Sequence, residues 1–139
     1  EPDGLSTFSF ETGLTVESVG FCENDENPAI AQSPDGYIKN SNETEAIEIK
    51  CFMPKNHIKL WLENKIPKEN YWQAINYFVV NEKLEKLYFV GYNPDIPIHP
   101  LHIIEGKRDE ILADIEDAKK SQEEFLLEVE EKLRTIIKL

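Results

Sequence analysis

The chain has 139 residues, of which 40% are hydrophobic, and its 15 basic and 27 acidic side chains give a formal net charge of −12. This length and apolar content predict one folded domain and exclude a disordered chain. No apolar run approaches the roughly 20 residues of a membrane span. The charge argues against a nucleic-acid partner. However, the acidic excess is concentrated between Asp109 and Glu131, where ten acidic residues accompany two basic ones.

In chain order, the first predicted elements are a helix end and three strands. Residues 1–10 fit the end of a helix, and residues 14–22 are rich in β-branched side chains, as in a strand. Residues 37–38 and 46–52 flank a polar tip at residues 40–44. We expect these two flanks to pair as a hairpin.

The second half of the chain alternates helices with strands. A short helix is expected to end near Asn64, and Pro67 fits the first turn of a second helix. Strands are predicted at residues 87–92 and 102–104, followed by one long helix from Asp109 to the C-terminus. This order predicts a mixed α/β fold, in which a small central sheet is flanked by helices.

Three charged residues around the predicted hairpin form the candidate site. Alternate side chains of a strand share a face, so Glu48 and Lys50 point the same way while Ile49 points into the core. The hairpin would place Asp35, from the turn at residues 33–36, beside Glu48 on the neighbouring strand. Two carboxylates and an ammonium group suit Mg²⁺ bound with substrate phosphate. A bound Mg²⁺ ion would support phosphodiester hydrolysis.

The triplet alone has a simpler explanation, because acidic residues and lysine also alternate on solvated strand faces. The apolar neighbours Ile47 and Phe52 favour the site, since an unpaired charge on a core-like strand is costly. The turn also fixes the backbone of Asp35, as a metal ligand requires.

Several ordered motifs extend the pattern beyond the triplet. They are residues 1–2, 8–10, 33–36, 48–51, His57, 66–67, 71–73 and 88–94. With these motifs the chain resembles the family of phage lambda exonuclease and YqaJ-type viral recombinases, a branch of the PD-(D/E)xK nucleases. The resemblance implies a restriction-endonuclease-like core. It also implies that a further N-terminal region is absent, so that the chain, which begins at Glu1, is a fragment of a longer protein.

The resemblance assigns roles to residues of the site. It implies Mg²⁺, replaceable by Mn²⁺, held by Asp35, Glu48 and the backbone carbonyl of Ile49. It implies that Lys50 positions the nucleophile, and that Glu1 is the upstream helical carboxylate of the site.

A further group of residues has more than one interpretation in the resemblance. Gln73 matches a glutamine near the family's site, but Ile75 replaces a second glutamine, so a polar helix edge explains Gln73 equally well. Lys55, His57 and Tyr71 are the candidates for DNA contact. For Tyr71 packing is the favoured alternative, and for His57 a surface or helix-capping position.

The leading hypothesis is an exonuclease that digests linear double-stranded DNA from 5′ to 3′ for phage-type recombination. The resemblance implies a single-strand annealing protein as partner, a homotrimer around DNA, and a phage or prophage gene. Two cysteines, Cys22 and Cys51, interpreted as buried thiols, fit the cytoplasm of a bacterial host. Two alternatives stay open: an endonuclease of the same superfamily, and a non-catalytic module that binds DNA or protein.

Overall fold

The computed structural model describes residues 2–18, 20 and 22–138. The helices and strands, in chain order, are α1 (Pro2–Thr12), β1 (Val16–Glu17), β2 (Cys22–Glu23), β3 (Ala31–Gln32), β4 (Gly36–Ile38), β5 (Glu45–Lys50), α2 (Pro54–Glu63), α3 (Lys68–Val80), β6 (Lys86–Tyr92), β7 (Leu101–Lys107) and α4 (Leu112–Ile137). A short 3₁₀ turn, Arg108–Glu110, leads into α4. None of these helices combines the length and the apolar character that crossing a membrane requires.

The central sheet has five strands in the order β1-β4-β5-β6-β7. Strands β5 and β6 are parallel, and the other neighbours are antiparallel. A parallel pair needs a crossover connection, and helices α2 and α3 form it here. The predicted mixed α/β fold with a small flanked sheet is confirmed.

The two faces of the sheet carry different helices because side chains alternate along each strand. On one face, Phe8 of α1 packs with Ile47, Ile49 and Val90 in a buried cluster. On the other face, Ala46 and Leu87 join the buried residues of α3 and the start of α4. Strand β5 therefore directs its odd-numbered side chains towards α1 and its even-numbered ones towards α3.

The predicted hairpin is confirmed as β4 and β5, which pair with Gly36 opposite Ile47. Three residues of its polar tip, Asn40, Asn42 and Glu43, have positive φ angles of 68°, 57° and 65°. Asparagine tolerates this left-handed region better than most residues do. The tip fixes the register, and this register places Asp35 opposite Glu48.

The single strand expected over residues 14–22 is wrong. Strand β1 ends at Glu17 and pairs with β4, whereas β2 begins at Cys22 and pairs with β3 in a separate two-stranded sheet. The β-branched composition indicates extended backbone but does not select a partner strand. Both cysteines were expected to be buried, but Cys22 is only partly buried, and Cys51 is exposed just beyond β5.

Helix α4 has two parts with different surroundings. Its first part buries Ile115 and Ala118 in the core beneath α3. From Phe125 onwards several apolar side chains are exposed, among them Leu133 and Ile136. Helix α4 therefore packs on the core through its first part, and Leu126 adds one partly buried contact further along.

Gly36 offers a test of the hairpin geometry. A Cβ atom at this position would lie 2.8 Å from the carbonyl oxygen of Glu17, and would also meet the side chain of Val16. Because a backbone atom cannot move aside cheaply, we expect Gly36→Ala to lower the free energy of unfolding by about 1–3 kcal/mol. Gly20→Ala is the matched control, since nothing lies within 4 Å of its added Cβ. Urea unfolding of both variants measures the difference, and equal stabilities would contradict the close approach of β1 and β4.

Candidate active site

Asp35 lies in the turn before β4 and is tied to the end of β5. The backbone N–H of Ile49 donates a hydrogen bond of 2.7 Å to its carboxylate oxygen Oδ2. A hydrogen bond to an ionised acceptor is stronger than one between neutral groups. The contact therefore fixes the carboxylate beside the part of β5 that carries Glu48, as the hairpin predicted.

Glu48 is a buried carboxylate, with 5% of its surface exposed. Lys50 Nζ lies 3.2 Å from Oε1, and Gln73 Nε2 donates to the same oxygen at 3.2 Å. The hydroxyl of Tyr77 donates to Oε2. Burying a carboxylate is costly unless donors replace its water. One strand neighbour and two residues of α3 supply those donors here.

Tyr77 is a site residue that the sequence analysis missed. Burial, and then the charge of Glu48, raise the pKa of Tyr77 well above its ordinary value of 10, so its phenol stays protonated and remains a donor. A hydrogen bond with the backbone of Asp35 partly opposes this shift. Tyr77 follows Gln73 by four residues, which places both on one helical face. That spacing is the signal in the sequence that could have revealed it.

Lys50 is the solvent-facing cation of the site. Its side chain is 29% exposed, against 7% for the side chain of Glu48 to which it is paired. Both lie on the α3 face of β5, as the alternation of the strand predicted. The ammonium group can therefore face a ligand arriving from solvent while it still contacts Glu48.

The donors available to a metal ion here are carboxylate oxygens. Within residues 2–18, 20 and 22–138 no group of three or more His, Cys, Asp or Glu side chains could hold a metal ion. Asp35 and Glu48 form a pair, which fits Mg²⁺, because this ion commonly binds through one or two carboxylates together with water and substrate phosphate. Softer metals prefer nitrogen and sulfur donors.

The expected roles of Ile49 and Glu1 in the site are not tested by this geometry. The side chain of Ile49 is buried on the α1 face, and its amide N–H is engaged by Asp35. Coordination through its carbonyl oxygen stays a prediction. Glu1, expected as the upstream carboxylate, lies outside the residues that the structure describes.

The three candidates for DNA contact lie in different environments. Lys55 is exposed on the first turn of α2. His57 is only 1% exposed, and its Nε2 atom lies 2.8 Å from the carbonyl oxygen of His99. A phosphate contact by His57, and equally a surface position, are therefore wrong, because its ring has almost no accessible surface.

Tyr71 packs between helices, which was the favoured alternative. Its hydroxyl donates to the carboxylate of Asp114 on α4. Burial, followed by this hydrogen bond, raises the pKa of Tyr71 to about 12. The Tyr71–Asp114 hydrogen bond links α3 to α4.

Comparison with known proteins identifies the group to which this arrangement belongs. The model of the YqaJ-like viral recombinase domain matches residues 1–83. A crystal structure of an alkaline exonuclease (LHK-Exo) from Laribacter hongkongensis is similar, with 27% identity and a TM-score of 0.78 over 99% of this chain and 71% of that one. The structure of LHK-Exo in complex with dAMP gives 26% identity and a TM-score of 0.79 over 99% and 70%. No curated protein matches the chain significantly.

The family match covers more than half of the chain and includes the hairpin and the whole of α3. Asp35, Glu48, Lys50 and Gln73 all lie within the matched residues, and the structural match extends the likeness through α4. The chain therefore belongs to the family of the YqaJ-like viral recombinase domain.

Proposed function

We propose that the chain is the core of a Mg²⁺-dependent exonuclease that digests linear double-stranded DNA from the 5′ end. The observation that carries the proposal is the convergence of Asp35, Glu48 and Lys50 at one end of the β4–β5 hairpin. Two fixed carboxylates beside a solvent-facing ammonium group suit hydrolysis of a phosphodiester. A structural ion pair would need only one of these carboxylates.

Each residue has a distinct task in this proposal. Asp35 and Glu48 would hold Mg²⁺, which, when bound, polarises the phosphate and lowers the pKa of water. Lys50 orients the attacking water, and its positive charge offsets the negative charge that develops on the phosphate. Tyr77 and Gln73 do not contact the substrate. They hold the Glu48 carboxylate in one orientation, as partners of metal ligands commonly do.

The relatives support the exonuclease over the endonuclease. LHK-Exo is described as an alkaline exonuclease, and one of its structures contains dAMP, a deoxynucleoside monophosphate. A site that accepts a single nucleotide suits an enzyme that removes nucleotides one at a time from an end. A single-strand annealing partner, a homotrimer and a bacterial cytoplasmic location stay predictions of the family resemblance.

The first test compares linear with closed-circular duplex DNA in the presence of Mg²⁺. We expect wild-type protein to degrade the linear form only, and Asp35→Asn to abolish degradation. Asparagine keeps an oxygen that can accept the Ile49 hydrogen bond, so the variant should fold while it loses the ligand charge. Asp117→Asn, on an exposed position of α4, is the matched control and should stay active.

The outcomes separate the hypotheses. Nicking of the circular form would indicate an endonuclease. If neither form is cleaved in Mg²⁺ or in Mn²⁺, the chain is not a nuclease by itself, and the non-catalytic module becomes the better interpretation.

Metal binding can be measured without cleavage. A ligand that binds only the folded state stabilises it according to its concentration relative to Kd. At a Mg²⁺ concentration about a hundredfold above Kd, we expect the Tm of the wild type to rise by about 5–10 °C. The Tm of Asp35→Asn should not rise, whereas that of Asp117→Asn should. Equal shifts in all three proteins at matched ionic strength would contradict a metal site at Asp35.

Tyr77→Phe tests the support of Glu48 from α3. The phenylalanine ring keeps the packing but removes the donor, so we expect the cleavage rate or the Mg²⁺ affinity to fall about 10–100-fold. Tyr88→Phe is a matched control, because its hydroxyl donates to Glu45 at 2.6 Å, another tyrosine–glutamate contact away from the site. The prediction fails if the two variants lose equal activity, or if neither loses any.

A further inference from the structure

A groove of about 740 Å³ lies beside the candidate site, between the end of α2, the first turns of α3 and strand β7. Its volume falls within the roughly 300–1,000 Å³ of small-molecule sites. Phe52, Tyr71, Trp72 and Ile104 give it apolar walls. Tyr71, a candidate for DNA contact, lines the groove, but Asp35, Glu48, Lys50, Gln73 and Tyr77 do not, so the groove has no role in the mechanism above.

Trp72 is the unusual side chain of this groove. The residue is 55% exposed, although tryptophan is normally well covered in folded proteins. Its ring meets Tyr71 edge-on, with centroids 5.4 Å apart and planes at 78°. Trp72 keeps this exposure despite the contact, and an exposed aromatic surface is a platform on which a planar group can stack.

The groove and the candidate site share two elements, helix α3 and the end of β5. Trp72 is followed directly by Gln73, which donates to Glu48. Phe52 lies two residues beyond Lys50 at the end of β5 and also lines the groove. Two residues of chain span at most roughly 7 Å, so the wall of the groove that Phe52 forms lies close to Lys50.

Charge distinguishes this groove from the rest of the molecule. Its charged lining residues are four lysines and four glutamates: Lys59, Lys65, Lys68, Lys107, Glu63, Glu69, Glu105 and Glu110. The formal charges of these eight residues sum to zero. The other 11 basic and 23 acidic residues therefore carry the whole net charge of −12. A polyanion is repelled less here than by the average surface of the chain, and the flexible lysine side chains can reach its phosphates.

We propose that this groove binds a single DNA strand, with an unpaired base stacked on Trp72 and phosphates contacted by Lys65 and Lys68. Bases inside a duplex already stack on one another, so an indole face of this kind selects an unpaired base. Base–aromatic stacking next to basic side chains is the usual way in which proteins hold single strands. The proposal rests on the proposed function, because it assigns the groove to the strand that the site processes.

The two tryptophans of the chain make the test direct. Trp61, the other one, is 39% exposed on α2, stacks on His99 at 4.2 Å and does not line the groove. In Trp61→Phe the tryptophan fluorescence comes from Trp72 alone, and in Trp72→Phe it comes from Trp61 alone. Each variant is titrated with oligothymidylate of roughly ten nucleotides, with EDTA present so that nothing is cleaved.

We expect saturable quenching of Trp72 emission in Trp61→Phe and no change in Trp72→Phe. Trp72→Ala should weaken binding of a labelled oligothymidylate at least about fivefold, measured by anisotropy, whereas Trp61→Ala should not. Lys68→Gln should reduce the salt dependence of binding by about one phosphate contact, and Lys120→Gln, on α4 outside the groove, should leave it unchanged.

The proposal is overturned if Trp72 is not quenched, or if both tryptophans respond equally. A groove that instead accepts a peptide would give the first of these results. The readout also separates the two proposals. Digestion of linear DNA without quenching rejects the strand groove alone, and quenching without digestion rejects the proposed nuclease alone.

Discussion

The need to satisfy the buried carboxylate of Glu48 constrains the centre of the molecule. An ionised side chain in the core is tolerated only when donors surround it. Lys50 on the same strand supplies one donor, and Gln73 and Tyr77 on α3 supply two more. Strand β5 and helix α3 are therefore joined by polar contacts as well as by the apolar core. The donors that the Glu48 carboxylate needs because it is buried also hold it in one orientation.

The topology explains why α3 is available for this task. Parallel strands β5 and β6 require a crossover that returns the chain to the same end of the sheet. Helix α3 completes that crossover and lies over the face of β5 that carries Glu48. The hairpin adds the second carboxylate, since Gly36 opposite Ile47 sets Asp35 beside Glu48. A shift of one residue in that register would turn Glu48 towards α1, and Glu48 would then no longer lie beside Asp35.

The sequence predicts those features of the site that depend on local periodicity. Alternation along one strand places Glu48 with Lys50, and a polar hairpin tip brings Asp35 alongside. The spacing of Tyr77 from Gln73 places the two on one helical face. Tyr77 was missed because the role of Gln73 was itself left open, and only the rotation of α3 over the sheet shows that this face meets Glu48.

The errors along the chain have the same origin. Residues 14–22 have the composition of a strand, yet two different partners divide them between two sheets. The burial of His57 depends on the carbonyl of His99, 42 residues away. In each case a contact distant in sequence decided the outcome, and no local pattern encodes it.

The acidic charge of the chain weighs less against a DNA partner once its location is considered. Ala118 is the last residue of α4 that is buried in the core, and Glu131 lies 13 residues beyond it. At the rise of an α-helix this separation is roughly 20 Å. Exposed charges are largely screened beyond about 8 Å at physiological ionic strength. The acidic side chains at the far end of α4 therefore lower the net charge while they lie beyond the screening distance from the buried start of the helix. The field that a phosphate meets is set mainly by its nearest groups. At the site Lys50 offsets one of the two carboxylates, a bound Mg²⁺ ion would offset the other, and the charges that line the groove sum to zero.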